Sequence, residues 1–244
     1  MKKVIVIPAR YASTRLPGKP LLDIGGKTLL QRVYEEARRS RLADTILIAT
    51  DDQRIAHLAQ TFGAEAVITD PSLPSGTDRV FAAVQGHGAD LIINLQGDEP
   101  FIDPAMIDRL FSALQERDVE MATLCCPLTK VDEYQNPNTV KVVLNKSGFA
   151  LYFSRAPIPH IAAPNSEFRT PQSLFKHIGV YAFTRSFLKQ FVSMPKSSLE
   201  EAESLEQLRV LENGYPIRVL VTEYRGFGID TPEDLERARK LLAK

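Results

Sequence analysis

Across residues 4–96 this chain alternates short β-branched runs with segments of helical apolar spacing, and that alternation limits its fold more than any other feature. VIVIPA is followed by TLLQRVYEEARRS, ILIAT by DQRIAHLAQTF, and AEAVIT and TDRVFAAVQGH lead to LIINLQ. Such a pattern predicts parallel strands joined by crossover helices that cover both faces of the sheet. Thr28 with Gln31 predicts a capping box, and Asp103 ahead of Pro104 predicts a helix start with proline at its first position. Met106, Ile107, Leu110, Phe111 and Leu114 then share one apolar stripe.

From about residue 138 the character changes to closely spaced strands, KVVLN, ALYFSR, HIGVYAF and IRVLVTEY, interrupted by prolines and an irregular segment at 161–172. These predict a smaller antiparallel or mixed β extension at about 138–225, inserted before a last helix. That helix starts at Thr231-Pro232 and is expected to bury Leu235, Ala238, Leu241 and Leu242. Without repeats, low-complexity tracts or a flexible linker, the expectation is one α/β domain over residues 1–244. Its class is Rossmann-like, a doubly wound mixed sheet with the β extension attached.

Thirty basic and thirty acidic residues cancel, so no whole-molecule field draws the chain toward nucleic acid or an anionic membrane. After Met-Lys-Lys only four apolar residues precede Pro8, against the roughly 7–15 of a secretory signal, and no apolar run approaches the roughly 20 residues of a membrane helix. Adjacent Cys125 and Cys126 sit in the apolar run MATLCCPL with no further ligands nearby, and read as small core residues in a reducing compartment. The expectation is a cytoplasmic protein with no membrane insertion and no nucleic-acid partner.

Charge is unevenly spread all the same. Residues 1–41 hold ten Lys or Arg against three acids, Asp23, Glu35 and Glu36, so this segment is expected to meet an anion. Arg10, Arg15 and Lys19 follow the first strand, at the sheet end where open α/β folds bind ligands. GGKT at residues 25–28 resembles the end of a P-loop, but the pattern needs glycine where the chain has Leu21. No Gly-x-Gly-x-x-Gly follows the first strand either. What remains is a loop that would hold phosphates with side chains, or else a solvated basic loop.

LIINLQGDEP runs a strand into Asp98 and Glu99, placing carboxylates at the same rim, where hard oxygen ligands beside phosphates suit Mg²⁺. Asp230 in GFGIDTPEDL is either a third such acid or a helix-flanking residue. In SLPSGTDR, Ser75, Gly76 and Thr77 lead into a helix and could read a base edge with Arg79, although Thr77 could equally be an N-cap.

Eight blocks in order along the chain carry a resemblance: IPARYASTRLPGKPL (7–21), PSGTDR (74–79), NLQGDEP (94–100), NPNTVKVV (136–143), YFSRAPIP (152–159), KHIGVYAF (176–183), ESLEQLRVLENG (203–214) and GIDTPEDL (228–235). Together they resemble the 3-deoxy-D-manno-octulosonate cytidylyltransferase (CMP-Kdo synthetase) family from end to end. The resemblance implies transfer of CMP from CTP to the anomeric hydroxyl of Kdo with release of pyrophosphate, for lipopolysaccharide synthesis. It implies that Ala9, Arg10, Arg15 and Lys19 meet the CTP phosphates and that Ser75, Gly76 and Arg79 select cytosine. Asp98 and Asp230 would share Mg²⁺, with Lys19, Arg10 and Asp98 as the catalytic set. For the sugar acid it points to Gln96, Arg155, His177, Tyr181, Glu206 and Gln207, and for assembly to a homodimer.

Without the family these last positions read otherwise. His177 and Tyr181 lie four apart on one side of a strand, as ordinary packing would also have them, and Glu206 and Gln207 fall on a predicted amphipathic helix with a solvated face. Sialic-acid cytidylyltransferases and NDP-sugar pyrophosphorylases share the fold, but their glycine-rich loop departs from ARYASTRLPGK. The neutral total charge and paired acidic motifs argue against a nucleic-acid-binding protein, and Lys19, Asp98 and Asp230 together argue against an inactive CTP-binding regulator. The acceptor is read as Kdo, with 8-amino-Kdo or another sugar acid as the alternative.

Overall fold

Val4, Ile5, Val6 and Ile7 are wholly buried, each side chain stabilising the fold by about 1.5–3 kcal/mol relative to exposure. The strand they form is central to a parallel sheet. The computed structural model describes residues 1–12, 16–161, 174–224 and 226–242. The chain divides into two units, residues 1–111 with 225–244, and residues 112–224.

The first unit begins β1 (Lys3–Ala9), α1 (Leu29–Ala37), β2 (Thr45–Thr50), α2 (Gln53–Thr61), β3 (Glu65–Ile68), α3 (Gly76–Val84), β4 (Leu91–Asn94) and α4 (Pro104–Ala113). Its strands lie in the order β3-β2-β1-β4, all parallel, as the alternation predicts. Because β2 and β4 flank β1 on opposite sides, the strand order reverses beside β1. Ligands of such sheets bind beyond the strand C-termini at that reversal.

Local signals mostly hold. Asp103 Oδ1 accepts the Ala105 N–H at 2.9 Å, and the stripe from Met106 to Leu114 is buried. Thr28 accepts the Gln31 N–H at 3.3 Å, but the capping box is incomplete: Gln31 Nε2 donates instead to Glu35 Oε1, one turn on, at 3.0 Å.

The second unit continues with β5 (Met121–Pro127), α5 (Val131–Gln135), β6 (Lys141–Leu144), β7 (Ala150–Ser154), β8 (Phe175–Thr184), α6 (Arg185–Ser193), α7 (Ser198–Glu203), α8 (Leu208–Glu212) and β9 (Arg218–Val221). β8 runs antiparallel to β5 and β6, β7 antiparallel to β6, and β9 parallel to β5. Phe153, Phe183, Phe187 and Phe191 fill its core. Cys125 and Cys126 are free and buried as expected. Burial, with a smaller effect of the adjacent thiol, pushes Cys125 up to about 12.

Two departures bear on the site. Leu124 pairs with Ile178 while Thr123 pairs with Tyr181, so Gly179 and Val180 are extra residues in β8. An even insertion preserves side-chain alternation, and His177 and Tyr181 stay on one face. The helix predicted through Glu206 and Gln207 is interrupted: Ser204 takes a left-handed conformation (φ 52°) that ends α7, and both residues lie in the turn before α8.

The chain closes with α9 (Pro232–Leu242), which belongs to the first unit. Leu235 and Ala238 are buried, Leu242 is half-buried, but Leu241 is 53% exposed, contrary to expectation. At about 100° per residue, Leu242 returns to within about 20° of Leu235, while Leu241 stands about 120° away. Among the described residues no helix is long and apolar enough to cross a membrane. The irregular segment at 161–172 lies almost entirely outside the described residues.

Candidate active site

The site of the first unit forms where β1 and β4 end. Ala9, last in β1, is buried, and Arg10 follows it. Arg10 Nη2 donates to the carbonyls of Leu73 at 2.5 Å and Ser75 at 3.1 Å, which pins the guanidinium to the loop before α3. Its Nε is buried without a partner among the described residues.

Gly18 (φ 65°) donates its N–H to the Tyr11 carbonyl at 3.0 Å, and a Cβ there would stand 3.1 Å from the Tyr11 ring. The left-handed backbone favours glycine there, and the close ring adds to the strain of any side chain. The closure delivers Lys19 at the start of a 3-10 turn, Lys19–Leu21. Arg15 lies outside the described residues.

Lys19 Nζ donates to Asp98 Oδ2 at 2.7 Å and to Asp230 Oδ1 at 3.0 Å. Asp98 follows Gly97, where a Cβ would stand 3.1 Å from the Pro8 carbonyl, so the ends of β1 and β4 approach as closely as glycine allows. Asp230 is delivered by the Ile229 N–H, which donates to the Asp98 carbonyl at 2.9 Å. Burial pulls the Lys19 pKa down, but the charge and hydrogen bond of Asp98, then those of Asp230, more than offset it. The net shift is upward, and the ammonium stays charged.

Three other cations of the basic segment are used locally. Lys27 pairs with Glu35, Arg39 with Glu36, and Arg32 donates to the carbonyls of Ile24 and Gly25.

Two carboxylates that reach one ammonium also converge on a point that a divalent cation can take. Among the described residues no cluster of three metal-ligating side chains forms, so the chain would supply two oxygens. One or two carboxylates, completed by water and phosphate oxygens, is the donor set Mg²⁺ prefers. The residues fit such an ion.

At the start of α3, Ser75 is the N-cap, accepting the Asp78 N–H at 3.1 Å and donating to Asp78 Oδ2 at 2.5 Å. Its hydroxyl is thus committed, and Gly76 is the first helical residue. Thr77, wholly buried, is not the cap: it accepts from Asn94 Nδ2 at 3.1 Å, while Asn94 Oδ1 accepts from Gln96 Nε2 at 3.0 Å. This chain fixes the orientation of the Gln96 amide. Arg79 is wholly buried, with Nη2 2.7 Å from Asp51 Oδ2, Nη1 on Thr69 Oγ1 and Nε without a partner among the described residues. Burial lowers its pKa, Asp51 raises it, Arg10 lowers it again, and the net shift is downward.

The second unit gathers another set. His177 Nε2 lies 2.8 Å from Thr123 Oγ1, which is also 2.7 Å from the Val180 carbonyl and 3.3 Å from that of Ile178. The single hydroxyl proton goes to a carbonyl, so His177 Nε2 carries the ring proton and Nδ1 is left as an acceptor. Burial depresses the His177 pKa to about 3, so the ring is neutral. Its centroid is 5.4 Å from that of Tyr181.

Tyr181 donates to Gln207 Oε1 at 2.9 Å, and burial followed by the Glu206 charge raises its pKa well above the usual value. Gln207 is 1% exposed, and its Nε2 is buried without a partner among the described residues. An orphaned donor of this kind costs about 1–3 kcal/mol and points to a ligand. Glu206 is half-buried in the same turn.

Arg155 donates through Nε to the Glu203 carbonyl at 2.8 Å, Nη1 to Pro137 at 3.0 Å and Nη2 to Ser204 at 3.4 Å. Of its five N–H groups two remain, as many as a carboxylate takes. Sequence reasoning overlooked Asp51, Asn94, Thr123 and Lys141, which hold the named residues in place. Only Lys141, a charge inside the apolar run TVKVVL, left a signal.

A parallel α/β unit that gathers a lysine and two aspartates at its strand reversal has the donors a nucleoside triphosphate and a divalent cation need, and its relatives are nucleotidyltransferases. The cytidylyltransferase family model matches residues 4–221. The 3-deoxy-manno-octulosonate cytidylyltransferase of Thermodesulfovibrio yellowstonii is 49% identical over 99% of this chain and 98% of that one. The enzyme of the same name from Parabacteroides distasonis is 48% identical over 100% and 99%. The chain belongs to the 3-deoxy-manno-octulosonate cytidylyltransferase family.

The solved structure of a CMP:2-keto-3-deoxy-manno-octonic acid synthetase complexed with CTP matches with TM-score 0.92 at 44% identity, over 100% of this chain and 99% of that one. A Leptospira borgpetersenii cytidylyltransferase, at 21% identity over 100% and 87% and TM-score 0.67, shares the fold.

Proposed function

We propose that this chain transfers CMP from CTP to the anomeric hydroxyl of Kdo, releasing pyrophosphate and supplying CMP-Kdo for lipopolysaccharide synthesis. The reading rests on the Lys19 ammonium held between Asp98 and Asp230, in a chain 49% identical to an enzyme of that name.

Lys19 exchanges a carboxylate for phosphate oxygens when CTP enters, and Arg10, with its Nε open, takes others together with Arg15. Cations fixed around the transferring phosphoryl group supply most of what this chemistry asks of a protein. Ala9 and the backbone at Ser75 and Gly76 border the nucleotide, and Arg79, anchored by Asp51 and Thr69, is held rigid for cytosine. Asp98 and Asp230 are the ligands for Mg²⁺, which when bound neutralises phosphate charge and lowers the pKa of the attacking sugar hydroxyl. No side chain is assigned as nucleophile.

The second unit supplies the sugar-acid groups: the two remaining Arg155 N–H groups for the carboxylate, and His177 Nδ1, Gln207 Nε2, Tyr181 and Glu206 for hydroxyls. Gln96, in the first unit, is assigned to the sugar acid by the family resemblance alone. Two buried free cysteines fit a cytoplasmic setting, and the family resemblance carries a homodimer.

Pyrophosphate release with CTP and Mg²⁺, comparing Kdo, 8-amino-Kdo and sialic acid with UTP and ATP as nucleotide controls, tests the reading. Release with CTP and Kdo is expected. Silence with every acid despite CTP binding would overturn it, and preference for 8-amino-Kdo would reassign the acceptor.

A further inference from the structure

Lys141 is wholly buried, an expensive place for an ammonium unless each of its protons finds an acceptor. Each does: Nζ donates to the carbonyls of Asn136 at 2.9 Å, Thr139 at 2.6 Å and Arg155 at 2.6 Å. Two of these acceptors belong to the turn before β6 and the third to the backbone of Arg155. Arg155 reaches back to the same turn through Nη1 on the Pro137 carbonyl, and Glu203 holds it from behind. The Glu203 carboxylate accepts the Arg155 N–H at 2.9 Å and the Ser154 hydroxyl at 2.6 Å. Lys141 and the Arg155 guanidinium therefore grip one turn at three carbonyls.

We infer that Lys141 is a positioning residue for the sugar acid: its ammonium fixes the 136–139 turn and the Arg155 backbone, and so aims the two uncommitted Arg155 N–H groups at the acceptor's carboxylate. An apolar side chain of the same length would take the ammonium from the part-buried carbonyls of Thr139 and Arg155, leave that of Asn136 with only the Thr139 N–H, and release both ends of that arrangement. This rests on the reading that Arg155 takes the carboxylate. A lysine that only held the fold together would weaken both substrates alike; one that aims Arg155 weakens the sugar acid alone.

The test is steady-state pyrophosphate release with CTP, Kdo and Mg²⁺ for wild type, Lys141→Met, Lys141→Gln, Arg155→Ala and the Lys141→Met/Arg155→Ala double variant. Lys141→Met should raise the KM for Kdo about tenfold or more while the KM for CTP and kcat stay within about threefold. Lys141→Gln, with two donors for three carbonyls, should fall between. The double variant should be no worse for Kdo than Arg155→Ala, because coupled residues do not add.

An unchanged KM for Kdo in a folded Lys141→Met protein, parallel changes for both substrates, full additivity in the double variant, or failure of both single Lys141 variants to fold would each overturn the inference. Wild-type protein without Kdo-dependent release would overturn the functional reading itself, before any variant is compared. An Arg155→Ala protein with normal Kdo kinetics would remove only the carboxylate assignment and the inference resting on it.

Discussion

The two units hold their polar groups in opposite ways. In the first, Lys19, Asp98 and Asp230 are ionic, partly exposed (13%, 29% and 46% of their side chains) and satisfied by one another, an arrangement a charged ligand can exchange into. In the second, Tyr181 and Gln207 are buried and uncharged, His177 beside them is half-buried and held neutral, and the cations Lys141 and Arg155 are tied to backbone carbonyls. Exchangeable ion pairs suit a polyphosphate, whose charge replaces the carboxylates. Fixed, mostly neutral hydrogen-bonding groups suit hydroxyls, because a buried donor or acceptor left unpaired penalises an analogue that lacks one.

The sharpest way to break this contrast is Asp98→Asn, which removes a charge from the exchangeable set. It should lower kcat by about 10²–10³-fold, while calorimetric CTP binding falls much less. A variant with near-normal rate would take Asp98 out of the catalytic set.

A second test uses the uncharged set. His177 is neutral in the fold with a pKa of about 3, against 6.5 when exposed. The unfolded state takes up the proton first as pH falls, so stability is full above about pH 6.5 and declines from there toward pH 3. The contribution lost by pH 5 is about 2 kcal/mol. Denaturant melts at pH 7 and pH 5 should show that excess loss in wild type and not in His177→Gln; equal losses would mean the fold does not hold the ring neutral. The smallest effect is expected of Tyr181→Phe, which deletes one buried hydrogen bond to Gln207 and should cost about 1 kcal/mol of stability, read by the same melts. A stabilised Tyr181→Phe protein would mean that the pair is not formed.

Legibility in the sequence follows the same division. In the first unit, strand and helix periods, the cation loop and the acids after β4 were readable because local patterning places them and strand reversal gathers them. Even there Leu241 misled, since one leucine looks like another until the helix angle is counted from Leu235. The second unit depends on contacts that no spacing encodes. Ser204 breaks a helix through a left-handed turn that its composition does not announce, so Gln207 became an interior donor where a solvated face was expected. Lys141 is of a residue type almost never fully buried, and only the three carbonyls around it explain its place.

The central claim is that one unit recognises the nucleotide and the other the sugar acid. It is tested most directly by measuring both Michaelis constants for Arg10→Ala and Arg155→Ala in one pyrophosphate-release assay. A crossed result is expected: the KM for CTP rises in Arg10→Ala with that for Kdo nearly unchanged, and the reverse in Arg155→Ala. If both constants rose together in both variants, or if Arg155→Ala weakened CTP instead, the division of labour would be contradicted.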